Sequence, residues 1–433
     1  MFGLGKGEET IEKANKYLIT SMVKKIEPVV ISEAKDAVIK DVNGKEYIDC
    51  FSGISVTNSG HSQPEILEAA FRQARKFVHV CGYVYYVPVM VELAEKLAEI
   101  TPGSLQKTFF SNSGAEAIEC GLKLARKFTK KYEFIALMRS FHGRSIGTLS
   151  VTGQAGRKKY DMGPYLSGVS FAYPPYCYRC AFQKEYPECD MLCARSIKDV
   201  VEYCTSKGVA AFIAEPVMGE GGIIAPPKEY FKIVKEILDS YGILFIADEV
   251  QSGFGRTGKL FAIEHYDVEP DIMCMAKGIA NGFPLGATIA RADIGSSFEP
   301  GDHLSTFGGN PVSAAAALAN IRVMLRDELP KQAAEKGEYL MKRLNELKSR
   351  FPIMGDVRGK GLMIGIELVE DKVRKTPAKS KTERIRDLAR EKGLLIGSGG
   401  SEGCVLRIQP PLVISRAQID EALNVLEACI KEA

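Results

Sequence analysis

Short, uninterrupted apolar runs recur through the first two thirds of the chain, and segments with helical spacing separate them. The runs are too continuous for strands with one solvent-exposed face, and they are typical of strands buried on both faces of a mostly parallel sheet. The segment 116–127 places Ile118, Leu122 and Ala125 on one helical face, and 230–240 has the same spacing. The alternation predicts an α/β domain with right-handed crossovers. The apolar runs are KTFF (107–110), EFIALM (133–138), VAAFIA (209–214), GILFIA (242–247), DIMCMA (271–276) and ATIA (287–290).

After Pro311 the pattern changes to two long helical segments followed by shorter alternating elements, which predicts a smaller α+β domain. Near the N-terminus, AVIKDVNGKEYIDC (37–50) predicts a hairpin with a type I′ turn at Asn43-Gly44. The later segments are helices at 312–325, 331–351, near 381–392 and from about Ser415, with strands at 361–368, 393–398 and 404–410.

Length and charge narrow the class of protein. A chain of 433 residues predicts two domains, one of them large. The formal net charge is +3, from 57 basic and 54 acidic residues without a long basic block, which argues against nucleic acid as a partner. No apolar run reaches the length of a membrane span or resembles a secretory signal, so we expect a cytoplasmic protein without a membrane partner. Asn and Gln together number only 18, which favours a thermophile, whereas 11 Cys and 13 Met argue the other way.

Polar groups follow five of the apolar runs. Ligands of open parallel sheets bind beyond the carboxyl ends of the strands, so these groups are expected to converge on one edge. The polar sequences are Ser111-Asn112-Ser113-Gly114-Ala115-Glu116, Arg139-Ser140-Phe141-His142-Gly143-Arg144, Glu215-Pro216, Asp248-Glu249-Val250-Gln251 and Lys277-Gly278.

Three of these groups carry specific chemistry, and each also has a structural interpretation. The segment 111–114 caps the helix that follows, and a helix start also binds anions such as phosphate. Asp248 follows a buried strand, where a carboxylate needs a cation; an arginine would serve a purely structural role. Lys277 follows an apolar run and would become a nucleophilic amine if buried, although solvated lysines are commoner. An anion cradle, an acid and a buried lysine together match the needs of pyridoxal phosphate (PLP).

Two other motifs do not contribute to this site. GFGRTGK (253–259) nearly fits a P-loop, but Leu260 replaces the required Ser or Thr and the segment is predicted to be a loop.

The cysteines at 177, 180, 189 and 193 have the spacing C-x2-C-x8-C-x3-C. Bound metal, local disulfides and free thiols all remain open for them, and we interpret the stretch as a structural staple beside the site, with no metal in the site itself.

The ordered set of motifs resembles the class III PLP-dependent aminotransferases, which include 4-aminobutyrate, ω-amino-acid and amine transaminases. The resemblance runs from about residue 25 onward. It implies fold type I, with a mostly parallel seven-stranded sheet in a large PLP-binding domain (61–310). A smaller α+β domain would comprise residues 311–433 and an N-terminal segment, 1–60. The matching motifs are YIDCFSGISVTNSGHSQP, FSNSGAEAIE, SFHGRS, AEPVMGEGG, LFIADEVQSGFGRTGKLFA, PDIMCMAKGIANGFPLGA, STFGGNP and VLRIQPPL.

The resemblance implies a role for each cofactor contact. Lys277 would bind PLP covalently and move the proton during the reaction, and Asp248 would keep the pyridine nitrogen protonated. Gln251 would hydrogen-bond near the phenolic oxygen, and Val250 and Phe141 would sandwich the ring. Many relatives have Tyr at the position of Phe141, so stacking is kept and a hydroxyl contact is lost. The other cofactor contacts implied are Ser113, Gly114, Ala115, His142, Glu215 and Thr306.

The resemblance also implies substrate contacts and a partner. Arg407 would bind the α-carboxylate of a substrate, and Glu220 would neutralise Arg407 when the donor has no such carboxylate. Arg144 matches an arginine that contacts a distal carboxylate, and Ile54 would line the entrance. Thr306 would reach the phosphate of a neighbouring subunit, which implies a homodimer or a dimer of dimers.

The function implied is a ping-pong transamination from an amine or amino acid, such as 4-aminobutyrate, to a 2-oxo acid such as pyruvate or 2-oxoglutarate. An amino-acid racemase on the same scaffold needs the same lysine and electron sink, so it remains an alternative. A metal or redox scaffold built on the cysteines is a third interpretation, from a different class.

Overall fold

A computed structural model of the chain describes residues 6–19, 26–154 and 160–433. Within these residues the strands form two seven-stranded sheets. Every helix in this part of the chain is too short or too polar to span a bilayer. The strands are β1 (Ile31–Lys35), β2 (Val38–Asp41), β3 (Glu46–Cys50), β4 (Leu105–Ser111), β5 (Glu133–Leu137), β6 (Val169–Ala172), β7 (Val209–Ala214), β8 (Leu244–Asp248), β9 (Ile272–Met275), β10 (Gly286–Arg291), β11 (Met354–Lys360), β12 (Met363–Leu368), β13 (Leu394–Gly399) and β14 (Val405–Ile408). The α-helices are α1 (Lys6–Tyr17), α2 (Ser52–Ser55), α3 (Pro64–Lys76), α4 (Pro88–Ile100), α5 (Gly114–Thr129), α6 (Ile146–Val151), α7 (Leu192–Arg195), α8 (Ile197–Cys204), α9 (Tyr230–Tyr241), α10 (Ala292–Gly295), α11 (Pro311–Arg326), α12 (Leu329–Arg350), α13 (Lys379–Glu391) and α14 (Arg416–Glu432).

The larger sheet is mostly parallel and is buried on both faces. Its strand order is β4-β10-β9-β8-β7-β5-β6, and only β10 runs against its neighbours. Every residue of β7 and β8 is buried, which explains why these strands are continuous apolar runs. The six predicted strands lie inside this sheet, so the predicted α/β fold is confirmed.

The smaller sheet joins the two ends of the chain. Its order is β1-β2-β3-β13-β14-β12-β11, and β3 pairs in parallel with β13 through Ile48 and Leu394. The N-terminal hairpin therefore completes a sheet whose other strands come from the last eighty residues. This pairing agrees with the prediction that segment 1–60 contributes to the smaller domain. The domain boundaries themselves remain a prediction.

The hairpin is present, but the predicted type I′ turn is wrong. A type I′ turn needs positive φ at both central residues, whereas only Gly44, with φ of 84°, has it. The Asp41 carboxylate instead accepts hydrogen bonds from the backbone N–H of Asn43 (2.8 Å) and Lys45 (2.9 Å). The side chain of Asp41 thus builds a longer turn, in which Gly44 alone needs the left-handed conformation.

The cysteine-rich stretch is an excursion that packs against the smaller sheet. All four of its thiols are free and border one small cavity, and no group of described His, Cys, Asp or Glu side chains is arranged to hold a metal. Tyr176 and Arg179 both hydrogen-bond the buried carboxylate of Glu367 on β12, and Lys375 donates to the Tyr178 carbonyl at 2.7 Å. In this structure, polar contacts to β12 and to the segment that follows it hold the stretch in place.

Candidate active site

A cavity of about 320 Å³ opens where the predicted polar groups converge, beyond the carboxyl ends of the parallel strands. This position is the one that open α/β sheets use for ligands. Ten of the predicted residues line it: Ser113, Gly114, Ala115, Phe141, His142, Glu215, Asp248, Val250, Gln251 and Lys277.

One wall of the cavity is the start of α5. Ser113 is extended and caps the helix, because its hydroxyl accepts the Glu116 N–H at 3.2 Å. The N–H groups of Gly114 and Ala115 lie in the first turn, where a helix provides no acceptor. A Cβ on Gly114 would lie 2.7 Å from Val250 Cγ1, so only glycine allows this approach. The helix start thus presents free donors to an anion.

The floor of the cavity contains a buried acid–imidazole pair. Asp248 is only 3% exposed; its Oδ2 lies 2.6 Å from His142 Nδ1, and its Oδ1 accepts the Val250 N–H at 3.0 Å. These contacts fix the orientation of the carboxylate, and a buried carboxylate is favourable only with a cationic or hydrogen-bonding partner. His142 Nε2 is buried without a hydrogen-bond partner among the described residues.

A second carboxylate supports this pair. Glu215 accepts the N–H groups of Phe141 (2.9 Å) and Gly219 (2.8 Å). Burial raises the pKa of Glu215 and Asp248 adds to the increase, whereas His142 and the two N–H donors oppose it. Glu215 therefore links the loop after β7 to the loop that carries Phe141 and His142.

Lys277 enters the cavity directly after β9. Its backbone φ of 47° lies in the left-handed region, which is uncommon for a residue with a side chain and turns the chain sharply at this point. Burial lowers the pKa of Lys277, although the carboxylates of Glu220, Asp248 and Glu215 oppose that change. No described carboxylate lies within ion-pair distance of its ammonium group. A lysine in such surroundings is a nucleophilic amine.

The smaller sheet contributes an ion pair beside the cavity. Arg407 on β14 donates to Glu220 at 2.5 Å, and its guanidinium lies 5.4 Å from the Phe51 ring centroid. The side chain of Arg407 is 5% exposed and that of Glu220 21%. Neither lines the 320 Å³ cavity itself, but both influence the pKa of Lys277.

Three predicted residues lie further out. Arg144 is exposed, with its guanidinium 5.6 Å from the Phe141 ring centroid, and Ile54 is partly exposed with φ of 72°. Thr306 is exposed and does not line the cavity of its own chain.

Sequence reasoning missed a further buried acid, Glu249, behind the site. Glu249 is fully buried; its carboxylate accepts the Ser252 hydroxyl at 2.6 Å and the Ile263 N–H at 2.7 Å. Burial raises the pKa of Glu249 to about 7. The available sequence signal was the pair Asp248-Glu249 directly after a buried strand. Successive residues of an extended chain point in opposite directions, so only one of the two carboxylates can face the cavity.

The rejected P-loop segment has a structural role that depends on its arginine. Arg256 is fully buried and donates to the carbonyls of Leu362 (3.0 Å) and Pro410 (2.5 Å) and to Asn58 Oδ1 (2.6 Å). Burial lowers the pKa of Arg256 to about 9. The segment 253–259 therefore contacts the N-terminal segment through Asn58 and the chain next to β12 and β14 through Leu362 and Pro410.

Comparisons with known proteins agree with this geometry. The family model Aminotransferase class-III matches residues 20–430. An acetylornithine aminotransferase from Methanosarcina mazei is 43% identical over 97% of this chain and 96% of its own length. A leucine/methionine racemase from Thermococcus litoralis is 41% identical over 98% of this chain and 96% of its own length.

A solved amine transaminase from an uncultivated Pseudomonas species is also similar. It superposes with a TM-score of 0.91 at 32% identity, covers 96% of this chain and 98% of its own, and contains bound PLP. The cavity fits this cofactor, because the free donors of α5, the buried Asp248 and the amine of Lys277 all line it. With a family match over nearly its whole length and a cavity suited to the family's cofactor, the chain belongs to the class III aminotransferases, which are PLP-dependent enzymes.

Proposed function

We propose that this enzyme transfers an amino group from an amine or ω-amino acid, with 4-aminobutyrate-like donors, to a 2-oxo acid such as pyruvate or 2-oxoglutarate. The supporting observation is the convergence of Lys277, Asp248 and the start of α5 on one cavity beside the Arg407–Glu220 pair. A ping-pong order follows, since a single cavity serves donor and acceptor in turn.

The residues around the cavity would hold PLP as follows. The N–H groups of Gly114 and Ala115 bind the phosphate at the start of α5. Asp248, oriented by His142, pairs with the protonated pyridine nitrogen. Phe141 and Val250 contact the two faces of the ring. When bound, PLP supplies an electron sink that stabilises negative charge on the substrate carbon.

Lys277 acts as the base. Its buried amine has a lowered pKa, so a larger fraction is neutral near physiological pH and Nζ can accept a proton. It then delivers the proton to C4′ of the cofactor instead of returning it to the substrate carbon, from a backbone held just beyond the end of β9. Gln251, which also lines the cavity, would hydrogen-bond near the phenolic oxygen.

Arg407 and Glu220 select substrates by their charge. With an amine donor, Glu220 neutralises the guanidinium at 2.5 Å, so no buried cation remains unpaired. A 2-oxo acid supplies its own carboxylate, which replaces Glu220 as the partner of Arg407. Arg144 and Ile54 contact the distal part of the substrate at the entrance.

We further propose a homodimer in which Thr306 contacts the phosphate in the partner's cavity. Two adjoining segments support the proposal, because both expose apolar side chains, as interfaces do. The segments are in contact, since the His79 and Phe307 ring centroids lie 5.0 Å apart. Tyr86 is 100% exposed, and Val84, Tyr85, Leu304 and Phe307 are exposed as well.

We also propose a cytoplasmic location. All eleven cysteines are free, which supports a reducing compartment.

Lys277→Ala tests the proposal. With PLP reconstituted, we expect turnover to fall by more than about a thousandfold, since both the covalent anchor and the base are lost. Lys259→Ala, a change at an exposed loop lysine, is the matched control and should keep turnover. Spectra recorded with single donors, then with single 2-oxo acids, identify the two half-reactions. Near-normal turnover in Lys277→Ala would refute the assignment.

A racemase is the second candidate, favoured by the 41% identity to the leucine/methionine racemase. Racemisation needs the same proton removal by Lys277, but a proton then returns to the same carbon from the opposite face and no second substrate is needed. Pure L-leucine incubated with the holoenzyme and no 2-oxo acid distinguishes the two. Formation of D-leucine would support the racemase, whereas a stoichiometric loss of the PLP band would support the transaminase.

A further inference from the structure

We propose that Gln409 is a positioning residue that orients the Gln251 amide, so that its NH₂ group faces the cofactor and its oxygen does not. This inference rests on the proposed function, in which Gln251 contacts the phenolic oxygen of PLP. It links the end of β14, which carries Arg407, to the cofactor.

The position of Gln409 is fixed by its backbone. The residue is fully buried; its N–H donates to the Cys50 carbonyl at 2.9 Å, and its carbonyl accepts the Ser52 hydroxyl at 2.5 Å. From this site its Nε2 donates to Gln251 Oε1 at 3.0 Å. The contact is buried and joins the two domains.

The polarity of this contact decides what Gln251 offers the cavity. An amide has one acceptor end and one donor end. Because Gln409 occupies the acceptor end of Gln251, the donor end remains for a ligand in the cavity that Gln251 lines. A phenolic oxygen that carries negative charge requires a donor. If both amides were reversed, Gln251 would present its oxygen to that charge, which is repulsive.

This orientation leaves one buried oxygen without a hydrogen bond, which indicates that the surrounding structure imposes it. Gln409 Oε1 is buried without a partner among the described residues, and an unpaired buried acceptor is unfavourable. Gly219 also approaches the Gln251 amide, since a Cβ there would lie 2.2 Å from Gln251 Oε1. The close approach of both Gly219 and Gln409 therefore leaves the Gln251 amide little freedom to turn.

The arrangement couples Arg407, which binds the substrate, to Gln251, which contacts the cofactor. Arg407 and Gln409 are two residues apart, so they project from the same side of an extended chain. Arg407 binds Glu220, and Gln409 binds Gln251. A shift of this chain segment when Arg407 changes partner therefore reaches the cofactor through one hydrogen bond.

A double-mutant cycle tests the proposal. Gln409→Met, Gln251→Met and the double variant are prepared as holoenzymes. The Kd of PLP and the pH midpoint of the visible PLP band are measured. Loss of the oriented donor makes the phenolic oxygen easier to protonate, so Gln409→Met should raise the midpoint and weaken PLP binding by about three- to tenfold. Because Gln409 acts through Gln251, the double variant should match Gln251→Met alone.

Controls separate this role from a general loss of packing. Gln73→Met removes another buried glutamine, which donates to the Phe77 carbonyl far from the cavity, and should leave the midpoint unchanged. An alanine Cβ in Gly219→Ala would collide with Gln251 Oε1 and displace the amide, so this variant should raise the midpoint with Gln409 intact. It carries the test if Gln409→Met does not fold. Additive effects in the double variant, or an unchanged midpoint in Gln409→Met or in Gly219→Ala, would overturn the proposal. Failure of the unaltered protein to bind PLP would instead refute the proposed function.

Discussion

Glu220→Gln should make the enzyme a better acceptor of 2-oxo acids and a poorer user of amine donors. In the structure Arg407 is bound to Glu220 at 2.5 Å, and the arginine side chain is only 5% exposed. A substrate carboxylate must displace this partner before it can bind the guanidinium. A neutral glutamine keeps the size of the side chain but weakens the contact to be displaced.

The size of the effect follows from the ion pair. The Arg407 guanidinium stays charged in Glu220→Gln, so its bond to the amide oxygen is still charge-assisted, and the variant loses only the attraction between opposite charges. For a pair in which Glu220 is 21% exposed and partly screened by water, that attraction is about 1 kcal/mol. Each 1.4 kcal/mol corresponds to a factor of about ten, so we expect the KM for the 2-oxo acid to fall by about fivefold.

The half-reactions separate this effect from a general change in activity. The pyridoxamine form is mixed with a 2-oxo acid, the PLP form is mixed with an amine that has no α-carboxylate, and each spectral change is followed. The amine half-reaction should slow, because Arg407 is no longer neutralised. Glu402→Gln, at an exposed glutamate paired with Arg139, is the control and should change neither. An unchanged KM for the 2-oxo acid, or equal losses in both half-reactions, would refute the switch.

Two further predictions concern stability. Glu249 has its pKa raised from 4.5 to about 7, so the folded state favours its protonated form; this contribution is complete below about pH 4.5 and is lost as pH rises through 7. Glu249→Gln should therefore gain up to about 3 kcal/mol of unfolding free energy relative to the unaltered protein between pH 5 and 8 in urea titrations, and a constant difference would contradict this. Arg256→Met leaves three buried oxygens without their donor and should cost at least about 2 kcal/mol. The exposed Arg350→Met, which breaks a surface pair with Glu427, should cost less than about 1 kcal/mol in the same titrations, and equal losses would contradict the role given to Arg256.

The larger sheet and most of the cavity were predictable because both depend on short-range patterns. A strand buried on both faces must be apolar along its whole length, as Val209–Ala214 is. The residue that follows such a strand then lies at the sheet edge, whatever the rest of the chain does. Lys277 and Asp248 were found in this way, and the structure brings them to the same cavity. The hairpin at 37–50 was predictable for the same reason, but its turn was not, because the Asp41 side chain determines the turn.

Contacts between the domains could not be predicted, because their chemistry depends on partners far away in the chain. Arg256 looked like part of a nucleotide-binding motif, and only its contacts with Leu362 and Pro410 show why a buried cation belongs there. Gln409 is separated from Gln251 by 158 positions, and neither residue alone reveals which end of its amide faces the cavity. The orientation is determined by the pair. The chemistry available at the cofactor therefore depends on how the smaller sheet packs against the larger one, and a change at that interface should alter the spectrum of bound PLP without touching any residue that contacts it.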